Sequence, residues 1–141
     1  MGRIFCFFAS AMKNLLKTEE ILQLVLAMAL FQALPISWGW MAALFLAPDL
    51  GMLGYVINTR AGAFSYNLLH HKGLAIAVYL LGFYLKHDWL QFTGLLLFAH
   101  SAFDRALGYG LKYSDSFQHT HLGYIGSNQH ANKQELLTTK N

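Results

Sequence analysis

From Ile21 to Pro48 the chain carries no Asp, Glu, Lys, Arg or His. A run this long and this free of charge must satisfy its own backbone hydrogen bonds and set its side chains against other apolar groups or lipid, which favours helices. Pro35 and Gly39 divide the run, predicting two antiparallel spans joined by a tight turn. Trp38 and Trp40 fall beside that turn, where an interfacial aromatic belt would lie. The whole chain extends the pattern: of 141 residues, 55% are hydrophobic and 12% charged, about half the charged fraction of an average soluble domain. The expectation is an all-α fold, a polytopic membrane bundle of four transmembrane helices with an N-terminal amphipathic lead-in.

Residues 1–17 form that lead-in, mixing Phe5, Phe7, Phe8, Met12, Leu15 and Leu16 with Arg3, Lys13 and Lys17, a pattern suited to a membrane surface. A signal peptide ending near Ala9-Ser10-Ala11 is the alternative. Residues 18–126 form the four-helix domain and residues 127–141 a flexible polar tail. Thr18 followed by Glu19 and Glu20 predicts a helix start. The second span runs from Trp38 to Ile57 and Asn58-Thr59-Arg60 breaks the chain. The third is Ala61 to Leu85, interrupted by Asn67, His70, His71 and Lys72. Asp88, with Gln91 three residues on, predicts the N-cap of the fourth. Lys and Arg concentrate on the side shared by the two termini, which places both in the cytoplasm. No basic stripe interleaved with aromatics is present, which excludes a nucleic-acid surface. The single Cys6 excludes an internal disulfide and a cysteine-based zinc site.

The chemistry lies in the few polar residues of these spans. His100 and Asp104 are four apart, so a helix stacks them on one face; Thr93 projects near His100, and Arg105 points about 100° from Asp104. Asn67, His70 and His71 share an arc on the third span, and Asp49 interrupts the second. If the faces converge, Asp49, His70, His100 and Asp104 supply two imidazoles and two carboxylates, a donor set for Zn, Mn or Fe. Asn67, Arg105 and His121 are candidate supporting or substrate-binding residues. Interhelical hydrogen bonds, or charge pairs of Asp104 with Arg105 or Lys72, are the purely structural alternative. His87 and His130 read as surface residues.

APDLGMLGY (Ala47–Tyr55), YNLLH (Tyr66–His70), AHSAFDRALGYGLKY (Ala99–Tyr113) and THLGYIG (Thr120–Gly126) together resemble a family of small bacterial integral membrane proteins of unknown function, the domain-of-unknown-function family numbered 4260. The resemblance spans Thr18 to Gly126. It implies a four-helix protein of the bacterial inner membrane and carries no activity. Pro48-Asp49, His70 and the His100-to-Asp104 spacing are also similar to membrane-bound metal-dependent hydrolases. Where that group tends to repeat the acid two residues later, this chain has Gly51.

Three functions fit these residues. One is a metal-dependent hydrolase of a lipid-like substrate, with Arg105 clamping an anionic headgroup. Another is a small proton-coupled transporter in which Asp49 and His100 exchange protons, most plausibly as a homo-oligomer because four spans enclose little volume. The third is a non-catalytic membrane scaffold; haem held by His70 and His100 is a variant of it, disfavoured by the nearby carboxylates. The partners expected are the lipid bilayer and a second copy of the chain.

Overall fold

The computed structural model describes residues 2–125, with side chains from Ala11 onward; the expected tail, with His130, lies outside the described residues. The order is α1 (Gly2–Phe31), α2 (Trp38–Leu44), a 3₁₀ segment (Ala47–Val56), α3 (Thr59–Leu69), α4 (Lys72–Tyr84), α5 (Asp88–Leu107), and a two-stranded antiparallel ribbon of β1 (His119–Thr120) and β2 (Gly123–Tyr124). The fold is thus predominantly helical.

Helix α5 is the centre of the molecule. Helices α1 and α4 pack against it, while α3 packs against the 3₁₀ segment. Phe92, Leu95 and Leu96 of α5 close the core with Phe31 and Met41. The Phe31 ring meets Trp38 edge-on at 4.7 Å and Phe92 at 5.7 Å, so the turn expected near Pro35 is pinned by aromatic packing. Glycine sets the approach of α4 to α5: a Cβ on Gly94 would stand 2.5 Å from Tyr79 N and 2.7 Å from Ala75 O. No side chain fits there without moving a backbone.

The caps differ from expectation in three places. Helix α1 runs through Thr18 without a break, and the Thr18 hydroxyl donates back to Asn14 O (2.9 Å); the apolar residues on both sides of Thr18 carry the helix past its capping signal. The stretch expected as one third span is two helices, because His71 caps α4 by accepting from Leu74 N (3.0 Å) while His70 closes α3. The N-cap of α5 is His87, whose Nδ1 accepts from Leu90 N (3.2 Å), and Asp88 sits in the first turn. An imidazole acceptor does at both sites what a hydroxyl or carboxylate usually does. The Asn58 break is as expected, with its side chain accepting from Ala61 N (2.8 Å).

Taken together, α2 and the 3₁₀ segment make the 19-residue stretch Trp38–Val56. Among the described residues it is the one helical stretch long and apolar enough, by length and composition, to cross a membrane. Four crossings are not evident from helix length, since the break at His70 leaves α3 with 11 residues and α4 with 13.

Candidate metal centre

Each candidate ligand stands at a helix break or on the central helix. A two-residue turn, Phe45 and Leu46, leads from α2 into the 3₁₀ segment, where Pro48, with its fixed φ and missing N–H, suits a first helical turn; Asp49 follows in that turn, where the positive helix end favours a carboxylate. His70 ends α3 and folds back so that its Nδ1 lies 2.8 Å from Tyr66 O, the carbonyl that also accepts the His70 backbone N–H (3.0 Å). His100 and Asp104 occupy one face of α5, as their spacing dictates.

The three elements bring the four side chains together, and one donor atom from each lies within 4.8 Å of all the others. His100 Nε2 is 3.3 Å from Asp49 Oδ1, and His70 Nε2 is 3.6 Å from the same oxygen. His70 Nε2 is 3.3 Å from Asp104 Oδ2, and His100 Nε2 is 3.8 Å from Asp104 Oδ1. Both imidazoles are buried, while the side chains of Asp104 and Asp49 keep 13% and 33% of their exposure. The cluster is therefore most exposed on its Asp49 side.

Hydrogen bonding fixes the tautomer of His70. A carbonyl only accepts, so Nδ1 carries a proton, and Nε2 is the nitrogen that faces the carboxylates. That Nε2, like His100 Nδ1, is buried without a hydrogen-bond partner. A lone pair facing carboxylate oxygens is repulsive unless a cation or proton lies between them. Imidazolium–carboxylate bonds close to about 2.7–2.9 Å, and none of the four separations is that short. The two shortest, at 3.3 Å, equal the edge of a tetrahedron with bonds of about 2.0 Å, and the other two are wider, at 3.6 and 3.8 Å. The cluster could hold a metal.

Tyr66 and Lys112 are neighbours of the cluster, and Tyr66 was not among the expected site residues. The Tyr66 hydroxyl donates to Asp104 Oδ2 (2.8 Å), and its ring stacks on His70 with centroids 3.8 Å apart and planes 15° apart. The signal was the i, i+4 spacing of Tyr66 and His70 in YNLLH, which stacks two rings on one helix face. The Lys112 ammonium lies 3.8 Å from the Phe117 ring centroid and 4.8 Å from that of Tyr66, and donates to Phe117 O (3.1 Å). Burial pulls the Lys112 pKa below the ordinary lysine value, with the nearby charges of Asp104 and Asp49 acting the other way.

Of the supporting candidates, Asn67 clamps the Lys112 backbone, donating to its carbonyl (2.8 Å) and accepting from its N–H (2.7 Å). Arg105 reaches the carbonyl of His70 at 3.5 Å, beside the cluster. His121 lies on the C-terminal segment, its Nδ1 accepting from Leu111 N (2.8 Å). Thr93 is exposed and bonds to Trp89 O. Lys72 pairs with Glu20 and Gln23 of α1, so it is no partner of Asp104. The glycine at 51 has a steric cause: a Cβ there would lie 2.9 Å from Ser65 O and 3.1 Å from Tyr66 Cα. An acid at that position would push α3, and His70 with it, away from the cluster.

No curated protein and no solved structure matches the chain. The family described as Domain of unknown function (DUF4260) matches residues 13–125, a region that contains every residue of the cluster and its Tyr66, Asn67 and Lys112 surround. The chain belongs to the DUF4260 family.

Proposed function

We propose that this protein is a multi-pass metalloprotein of a bacterial inner membrane, holding a divalent Zn, Mn or Fe ion between Asp49, His70, His100 and Asp104 and hydrolysing a lipid-like substrate. The observation that carries the reading is the set of two imidazoles and two carboxylates with one donor atom from each within 4.8 Å of the others, a donor set suited to a shared cation.

Several features support the membrane setting. Only 17% of the apolar stretch Trp38–Val56 is buried inside the molecule, whereas the core helix of a soluble domain is mostly covered. Val56, Phe64 and Phe83 are 86%, 70% and 65% exposed, a surface that lipid would cover and water would not. Trp40 and Trp89 meet at one end of the bundle, 5.6 Å between ring centroids, as in an interfacial belt. The 20 residues of α5 measure about 30 Å, the thickness of a bilayer core. Asp104 lies within one turn of its C-terminal end, so the cluster would sit near the headgroups on the side of Arg105 and Lys112. Positive-inside asymmetry makes that side cytoplasmic.

A divalent ion held by Asp49, His70, His100 and Asp104 would supply Lewis acidity for hydrolysis of an ester or phosphodiester. The chain's own part is to hold four ligands on three elements and to keep the imidazoles dry. It also leaves the Asp49 side open to a headgroup, with Arg105 beside it for an anion.

Elemental analysis of the full chain purified in mild detergent tests the reading. About one divalent ion per chain is expected, lost in a His100→Ala, Asp104→Ala double variant that still folds. Chelator-sensitive release of product from an ester- or phosphodiester-linked lipid is expected alongside it. Stoichiometric metal in the double variant would overturn the assignment.

A further inference from the structure

We infer that Tyr66 is the positioning residue of this centre, holding two of its ligands at once; the inference rests on the metal reading. Three separate contacts converge on this one residue. Its carbonyl accepts from His70 Nδ1 (2.8 Å) and thereby selects the tautomer that presents Nε2. Its ring lies flat on the His70 imidazole at 3.8 Å and stops it rotating. Its hydroxyl donates to Asp104 Oδ2 (2.8 Å), orienting the carboxylate and drawing charge from the oxygen nearest His70. His70 belongs to α3 and Asp104 to α5, so Tyr66 is the side chain that ties ligands of two elements into one geometry. It is 1% exposed, and the aromatic cage that buries it is completed from the C-terminal segment. Lys112, held by the Asn67 clamp, places its ammonium on the Tyr66 ring. Phe117 closes over that ammonium in turn.

A structural role alone would change stability; a positioning role changes the metal's spectrum and affinity. The full chain in detergent is loaded with Co²⁺ as a spectroscopic probe, and wild type is compared with Tyr66→Phe. The variant keeps the ring stacking and the backbone carbonyl and loses only the hydroxyl. The expected result is a shifted ligand-field spectrum, full occupancy at saturating Co²⁺, and affinity weakened about 10–100-fold, the usual cost of removing an outer partner of a ligand. Tyr84→Phe, at an exposed position outside the site, leaves both readouts unchanged. Should Tyr66→Phe fail to fold, Tyr66→3-fluorotyrosine substitutes a more acidic phenol of nearly the same shape and moves the spectrum opposite to the loss of the donor. A Co²⁺ spectrum and affinity identical to wild type in whichever Tyr66 variant folds would overturn the assignment. Wild-type protein that takes up no Co²⁺ would overturn the metal reading itself, a distinct outcome.

Discussion

Asp49 and Asp104 carry the same carboxylate in different surroundings. Asp104 is largely covered, hydrogen-bonded by Tyr66 and set between both imidazoles. Asp49 keeps a third of its side-chain exposure and touches the cluster through one oxygen. The buried, oriented ligand loses less freedom on binding, so Asp104→Asn should weaken divalent-metal affinity more than Asp49→Asn, each by at least about tenfold. Competition titration with a chromogenic chelator measures the order, and a larger loss for Asp49→Asn would contradict it. The histidines show why residue type alone is ambiguous. His70 and His71 are neighbours in the chain, yet one is a candidate ligand and the other accepts the Leu74 N–H at the start of α4. His87 reads as a surface residue and performs the same capping task for α5.

At the level of elements, the segment after α5 is attached to the bundle chiefly by a side chain that reaches a backbone. Gly108, at φ 96°, ends α5, and the chain then runs to Lys112, where Asn67 replaces a missing strand partner with two hydrogen bonds. Asn67→Ala leaves the Lys112 N–H and C=O unpaired in a buried setting, which costs about 1–3 kcal/mol per group. The expected outcome is loss of hydrogen-exchange protection at the Lys112 amide and faster proteolysis between Gly108 and Ile125, with α5 still protected. The ribbon also carries an acid-sensitive contact. Asp115 Oδ2 lies 2.7 Å from His119 Nδ1, and that hydrogen bond holds the Asp115 carboxyl below the usual carboxylate range. A depressed carboxylate stabilises the fold above its ordinary pKa, and the gain fades as pH falls through the depressed value. Protection of the His119 and Ile125 amides should therefore be flat from neutral pH down to the ordinary carboxylate range and fall below it. Asp115→Asn should flatten that acid transition.

For the whole molecule, the proposed bilayer setting makes two predictions. Membranes from cells expressing the chain, washed with alkaline carbonate, should retain it in the pellet. In a Cys6→Ser chain, a cysteine placed at the exposed Tyr109 should react with a membrane-impermeant maleimide only in inverted vesicles; labelling in intact spheroplasts would reverse the proposed orientation. The broken middle of the chain fits the same setting. Polar backbone is tolerated at membrane depth where it is buried in protein or lines a site. The turn at Phe45, whose ring meets His100, and the junction at His70 both border the cluster.

The helical class, the Asn58 break, the turn near Pro35 and the four donors were legible from sequence. Each depends on local chemistry: absence of charge, punctuation by Pro and Gly, and i, i+4 spacing. The family, too, was legible in its motifs. Tertiary structure alone decided what crosses between elements. It split the expected third span at His70 and His71, because a ring nitrogen caps a helix as well as a hydroxyl does. Tyr66, named in sequence only as the start of YNLLH, is the link between His70 and Asp104, and Gly51 is the point where the 3₁₀ backbone meets α3. Sequence periodicity specifies which face of an element a residue occupies. The distance between faces on different elements depends on packing, and the chemistry of this cluster resides in separations of a few ångströms.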